Sequence, residues 1–421
     1  MYILKKIAQK ELFKVFSLNS ISVLVKFVVG FISGKVMAAY IGPHGMGIVG
    51  NWRTFFTTLE NVATLGSSNG IIKYVSEYKT DTEKLKKFVA TTTITLFFWS
   101  ICISSVLFVF SGTISHYLCN SLDYEPIVKY TSVALPWYIA SFVFMTILNG
   151  LQKFRLLILL NIASNILVLL LSVWIIMHHK ISGAMFSISV VPAIMVCITL
   201  FFVWKNLNIS LQNFQKIYVF RLLEFLAMSL ASMLLLPLVQ LYLRTYLVQQ
   251  QSFEVAGYYE AISRISNYYM LFITTIISVY FFPKLATSTS NNETKTIFQD
   301  YFRTIIPVFF VGLVVLYFCR DFVINLLFTA SFEPVSNLFL WQEIGDFFKA
   351  MSLILGFQFF AKKLTLPFII LEIVSITILL LLSLLFINIY GVKGMVIGYA
   401  VHYILYFLLL IIYFKNIIFK K

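Results

Sequence analysis

The chain has 421 residues, of which 60% are hydrophobic, 17% aromatic and only 12% charged, with a mean hydropathy of +0.90. One water-soluble core cannot absorb that much apolar surface, so lipid must be the solvent. The net charge of +15 does not indicate a nucleic-acid partner, because the cations sit between apolar runs rather than on one face of a soluble fold.

Taken in chain order, Lys5, Lys6, Lys10 and Lys14 precede the first apolar run, and no small-residue cleavage site follows a short apolar core. The first helix is therefore expected to be an uncleaved anchor. Apolar windows then predict twelve spans near 18–40, 48–76, 88–110, 128–150, 156–177, 183–204, 222–246, 256–282, 303–319, 336–360, 366–387 and 394–414. With a cytoplasmic N-terminus, 21 of the 32 cations fall in inner segments and three, Lys180, Arg320 and Lys393, in outer loops. That asymmetry predicts a multi-pass protein of the inner membrane with both termini in the cytoplasm.

The connections limit function. The longest outer loop, about 111–126, and the longest inner one, about 283–303, are too short for a folded soluble domain. There is no phosphate-binding lysine loop, no zinc-spaced His or Cys set and no nucleophile elbow. The sequence thus points away from an enzyme and implies no cofactor or metal. Cys102, Cys119, Cys197 and Cys319 show no paired spacing and read as small apolar fillers.

A faint internal repeat is present. Span two opens with Gly47 and carries Arg53, Thr57, Glu60, Asn61, Thr64 and Ser68 on one face; span eight opens with Gly257 and carries Glu260, Arg264, Asn267, Thr274 and Ser278. These spans hold equal places in spans 1–6 and 7–12. The expectation is an all-α transmembrane bundle of twelve helices, in two six-helix lobes, 1–210 and 211–421, related by a parallel pseudo-two-fold about a central cleft.

Ionisable side chains within a bilayer each cost on the order of 2.5–3.5 kcal/mol on insertion scales, so each needs an account. The spans hold Lys26, Lys35, Arg53, Lys73, Lys129, Arg244, Arg264 and Lys349 against Glu60, Glu224, Glu260, Glu343, Asp346 and Glu372. Lys35, Lys73, Lys129 and Arg244 lie toward helix ends, where snorkelling to the headgroups explains them. Glu260 with Arg264, and Asp346 with Lys349, are spaced to neutralise one another along a helix. Lys26 lies deeper, about 180° around the helix from Lys35. Arg53 heads its polar stripe with no acidic residue within four positions.

Several segments carry a resemblance. Leu24-Val25-Lys26, Gly34-Lys35, Ile41-Gly42-Pro43-His44-Gly45-Met46-Gly47 and Asn51-Trp52-Arg53 resemble the opening of the Wzx-type O-antigen and enterobacterial common antigen lipid flippases. Asn69-Gly70-Ile71-Ile72-Lys73-Tyr74-Val75, Ser278-Val279-Tyr280-Phe281-Phe282-Pro283 and Leu340-Trp341-Gln342-Glu343-Ile344-Gly345-Asp346-Phe347-Phe348-Lys349 follow in the same order as in that family. The chain is thereby identified as resembling the multidrug/oligosaccharidyl-lipid/polysaccharide exporter superfamily. The resemblance implies alternating access and passage of an undecaprenyl-pyrophosphate-linked oligosaccharide, an O-antigen repeat unit, to the periplasmic leaflet. It also implies contact with membrane lipid and partnership with polymerase and chain-length regulator proteins. Matched to its motifs, the substrate-binding candidates are Lys26, Lys35, Arg53, Lys73 and Lys349, while Arg264 joins them from the polar stripe alone. Glu60, Asp346 and His402 are the ion-coupling candidates; Asn267 departs from the acidic residue expected in near relatives. A multidrug or cation antiporter of the same fold, or a membrane glycan polymerase, are the competing readings. Excess interior cations favour an anionic cargo, and the short outer loops argue against a polymerase.

Overall fold

The computed structural model describes the backbone of residues 2–197 and 213–418, with side chains over 22–197, 213–220 and 234–418. Among these residues the secondary structure is helical throughout, as a lipid solvent requires: a helix satisfies its own peptide groups where no water is at hand. The first element, α1 (Tyr2–Ala63), is broken at Gly42, whose φ of 62° and ψ of −170° are followed by Pro43. Glycine tolerates that left-handed backbone, and proline lacks the N–H that a continuous helix would use there. The break falls between the first two expected spans. α2 (Ser68–Glu77) completes the second.

Next come α3 (Thr82–Val109), α4 (Ser111–Cys119), α5 (Glu125–Gly150) and α6 (Phe154–Ser189). The Asp81 carboxylate caps α3 by accepting from the Lys84 N–H at 3.0 Å, which satisfies one of the orphan donors of a helix start. α6 breaks at Lys180, with φ 48° and ψ −122°, so it covers the fifth expected span and opens the sixth. The sixth continues through a 3-10 turn at Val191–Ile194; its residues 198–204, and the side chains of the first half of the seventh including Glu224, lie outside the described residues.

After α7 (Lys216–Gln250) comes α8 (Phe253–Ile276), capped by Ser252, which continues through a π-helical turn at Ile277–Phe281 into α9 (Phe282–Thr287). The Ser278-to-Pro283 motif occupies that turn, whose wider hydrogen-bond spacing accommodates a proline lacking its N–H. α10 (Asn291–Phe318), α11 (Arg320–Leu327), a 3-10 stretch (Ala330–Leu338), α12 (Phe339–Ala361), α13 (Thr365–Tyr390) and α14 (Val392–Tyr413) follow, with a last helical turn at Lys415–Ile418. Ser290 caps α10, and Glu293 reaches back to the Thr289 N–H at 2.7 Å. Among the described residues, nine stretches are long and apolar enough to cross a membrane; the one from Ser22 to Thr80 is 59 residues long and contains two of the expected spans. The protein is a multi-pass, all-α membrane protein.

Close packing groups the chain into two compact units: Met1–Tyr40 with Asn51–Leu234, and Ile41–Gly50 with Leu235–Lys421. In the first unit α5 is the most enclosed element, packed on α2, α3, α4 and α6. Buried Asn51 and Trp52 fix the start of the second span, donating to the Leu118 carbonyl at 3.1 Å and the Met185 carbonyl at 3.0 Å. In the second unit a core built on Ile273, Ile277, Phe281, Tyr301, Ile354, Phe359 and Phe407 joins α8, α10, α12 and α14. The buried Tyr301 hydroxyl donates to the Ala350 carbonyl at 2.9 Å. The Ile41–Gly50 segment lies hard against α8: a Cβ on Gly47 would stand 1.9 Å from the Phe253 carbonyl oxygen, and one on Gly257 1.9 Å from that of Pro43. The two glycines that open the faint repeat are thus the two faces of one backbone crossing.

All four cysteines are free, with Cys119 buried and Cys102, Cys197 and Cys319 exposed. Burial pushes the Cys119 thiol up to about 12, so it stays protonated and unreactive at neutral pH.

Candidate functional site

The first unit carries five of the sequence-derived candidates. On α1, Lys26 is exposed, while Lys35, Arg53 and Glu60 are half-buried. Asn51 and Trp52 act as buried anchors immediately before Arg53, which sets the position of its backbone. The Glu60 carboxylate takes a hydrogen bond from Tyr138. Lys73, exposed on α2, holds its ammonium 5.2 Å from the Tyr74 ring centre. Lys129, read as a snorkelling residue, is instead paired with Glu125 at 2.8 Å.

In the second unit the candidates come together in two buried clusters. The Glu260 carboxylate receives Arg264 Nε at 2.9 Å and Arg244 Nη2 at 2.8 Å. All three residues are buried, Glu260 being 3%, Arg264 5% and Arg244 7% exposed. The guanidinium of Arg244 also stacks on the Tyr259 ring, 4.9 Å from its centre, and its Nη1 is buried without a hydrogen-bond partner. The expected i, i+4 pair therefore forms, but Arg244 is not the snorkelling residue its place near a helix end indicated. Among the described residues, one carboxylate here faces two guanidiniums.

The second cluster centres on Asp346, which is wholly buried. Its Oδ2 accepts from the Tyr269 hydroxyl and from Gln342 Nε2 at 3.2 Å, and its Oδ1 from the Tyr399 hydroxyl at 2.7 Å. Three neutral donors hold this carboxylate, and Lys349 does not pair with it among the described residues. Lys349 is half-buried, with its ammonium 5.7 Å and 5.5 Å from the ring centres of Tyr399 and Tyr403. His402 is buried; its Nε2 lies 2.7 Å from Ser375 Oγ, and its Nδ1 has no hydrogen-bond partner. The spacing of Asp346 and Lys349 suited an ion pair, but the tyrosines of α8 and α14 occupy the carboxylate first. Tyr269, Tyr399 and Gln342 were missed by sequence reasoning. The available signal was hydroxylated aromatics at mid-span, on Tyr399 and Tyr403 at i, i+4. Among the described residues no three His, Cys, Asp or Glu side chains group to hold a metal ion.

Comparison with known proteins agrees with this picture. Residues 12–289 match the family model for "Polysaccharide biosynthesis protein". The chain is 26% identical over 398 residues to the Lipid III flippases of Escherichia coli (strain K12) and Shigella flexneri, covering 92% of this chain and 94% of each relative. Its fold is that of an inward-facing multidrug resistance MATE family transporter of the MOP superfamily, with a TM-score of 0.76, 12% identity and coverage of 97% and 99% of the two chains. It is equally that of the Lipid II flippase MurJ in an inward closed conformation, with a TM-score of 0.75, 16% identity and coverage of 94% and 87%. The resemblance read from the motifs at Lys26, Arg53 and Asp346 is borne out over nearly the whole length, and the chain belongs to the polysaccharide biosynthesis protein family.

Proposed function

We propose that the chain carries an undecaprenyl-pyrophosphate-linked oligosaccharide, of the O-antigen repeat-unit kind, from the cytoplasmic to the periplasmic leaflet of the bacterial inner membrane. It works by alternating access, makes and breaks no covalent bond, and keeps both termini in the cytoplasm. The observation that carries this reading is the similarity to Lipid III flippases over 92% of the chain.

The chemistry of the charged residues supports it. A pyrophosphate presents negative oxygens that guanidinium and ammonium groups bind through charge-assisted hydrogen bonds. Lys26, Lys35, Arg53 and Lys73 of the first unit and Arg264 and Lys349 of the second are the candidate contacts. The polyprenyl tail has no such need, since it can remain in lipid while the glycan crosses. Asp346, Glu60 and His402 are the groups through which an ion gradient would act. A multidrug antiporter of the same fold is disfavoured by the Arg244–Glu260–Arg264 cluster, because two buried guanidiniums disfavour a cationic drug beside them.

The test is deletion in a host that builds an oligosaccharide repeat, followed by a count of lipid-linked repeat units on each face of the inner membrane. Accumulation on the cytoplasmic face should be reversed by the wild-type chain, and delivery should fall at least about tenfold in Arg53→Ala, with partial recovery in Arg53→Lys. Full activity of Arg53→Ala removes Arg53 from the anion site. Normal delivery after deletion, with altered sensitivity to cationic drugs, overturns the flippase reading.

A further inference from the structure

Between α12, α13 and α14 of the second unit lies a cavity of about 210 Å³. Lys349 and Phe357 of α12, Phe368 and Glu372 of α13, and Tyr403 and Tyr406 of α14 line it. Three features make it a candidate site rather than a packing defect.

The first is charge. Lys349 of α12 and Glu372 of α13 both line the cavity, yet they form no ion pair among the described residues. Asp346 does not consume Lys349, being satisfied by Tyr269, Tyr399 and Gln342. Lys349 instead rests over the rings of Tyr399 and Tyr403, and Glu372 takes a hydrogen bond from Tyr406. Two charges kept apart inside a membrane protein, at the insertion costs set out above, are accounted for by a polar ligand that bridges them.

The second is the lining. Aromatic rings dominate a largely apolar wall, interrupted by the ammonium of Lys349, the carboxylate of Glu372 and the hydroxyls of Ser352, Tyr403 and Tyr406. This pattern suits a ligand with C–H faces and several hydroxyl groups: the faces lie on rings, Glu372 accepts from paired hydroxyls, and Lys349 donates to oxygen. A lipid ammonium headgroup fits less well, because the face of Tyr403 is already taken by the ammonium of Lys349.

The third is Gly356, which also lines the cavity; a Cβ built on it meets nothing within 4 Å. A helix-interior glycine is a poorer helix former than alanine, and here it keeps the cavity clear.

We infer that this cavity is a subsite for a single sugar ring of the carried glycan, held between Lys349 and Glu372 against the tyrosines of α14. The volume admits one ring-sized unit, not a whole oligosaccharide. The naming of a sugar rests on the flippase reading; the existence of the site rests on the geometry.

The experiment uses full-length protein in nanodiscs, probed by saturation-transfer NMR with a free hexose, an N-acetylhexosamine and a hexuronic acid, and with glycerophosphoethanolamine as the headgroup probe. At least one sugar should bind saturably. Its affinity should fall about tenfold or more in Gly356→Leu, which fills the cavity, and by less in Gly356→Ala, which intrudes by one methyl group. Should Gly356→Leu fail to fold, Glu372→Gln decides the matter on the same terms, since it keeps size and removes only the charge. The subsite is overturned if no sugar binds, if sugar binding ignores both variants, or if only glycerophosphoethanolamine shows the variant dependence. The readout does not need transport. A wild-type chain that fails to deliver repeat units in cells removes the flippase reading and leaves the binding result standing, whereas normal delivery without sugar binding removes the subsite alone.

Discussion

Arg244, Glu260 and Arg264 show how far a residue's surroundings can depart from its place in the sequence. The i, i+4 relation of Glu260 and Arg264 was legible because both lie on one helix. Arg244 lies on α7, and nothing in its sequence neighbourhood shows that α7 and α8 bring it onto the same carboxylate. Removing the shared anion takes from two buried guanidiniums the carboxylate that both bind. Glu260→Gln should therefore lower stability by roughly 3–5 kcal/mol, the cost of breaking a buried pair. Arg244→Met should cost less, since Glu260 keeps Arg264. Thermal unfolding of the purified protein in detergent checks both, and equal losses would mean that the two arginines are not held by one carboxylate. Asp346 shows the same effect from the other side: its i, i+3 lysine was visible, while the tyrosines that actually hold it come from two other helices.

At the scale of elements, caps and breaks follow from local chemistry. Gly42-Pro43 breaks α1, and Ser252, Ser290 and Asp81 start helices where their side chains accept backbone N–H groups. The Lys84 backbone N–H, and then its ammonium, holds the exposed Asp81 carboxyl below its ordinary range. A depressed folded value means that the cap is at full strength above the ordinary carboxylate range and is lost as the pH falls through the depressed value. The protection of the Lys84 amide against hydrogen exchange, taken relative to the intrinsic rate at each pH, should fall on acidification in the wild type, and that fall should be absent in Asp81→Asn, whose amide oxygen has no such titration. The Gly47–Gly257 crossing belongs to this scale as well. Gly257→Val places a side chain into the Pro43 carbonyl and should destabilise by roughly 1–3 kcal/mol or prevent folding. Gly312→Val, where a Cβ meets nothing within 4 Å, should be tolerated apart from its helix propensity. Comparable losses at the two positions would show that close approach is not what Gly257 serves.

For the whole molecule the decisive quantity is where the cations lie. On the expected twelve-span topology 21 cations fall in inner segments and three in outer loops, and the orientation this implies by the positive-inside rule is one that labelling can check. In a background with the four natural cysteines replaced, Asn120→Cys should react with an impermeant maleimide added from the periplasm, and Thr82→Cys only once the cytoplasmic side is opened. Both positions are exposed, so burial does not confuse the readout. The reverse pattern would invert the topology.

Composition and apolar run length by themselves determined that this is a multi-pass helical membrane protein, because a bilayer selects on hydrophobic length and on self-satisfied backbone. The ordered motifs around Lys26, Arg53, Pro283 and Asp346 carried the resemblance that the family match bears out. Only the tertiary structure decided which groups meet: Arg244 with Glu260, Asp346 with the tyrosines of α8 and α14, and Lys349 with the rings of Tyr399 and Tyr403. Partner choice inside a bundle is set by how helices far apart in sequence pack, and helical periodicity gives the face of a residue but not what that face will touch.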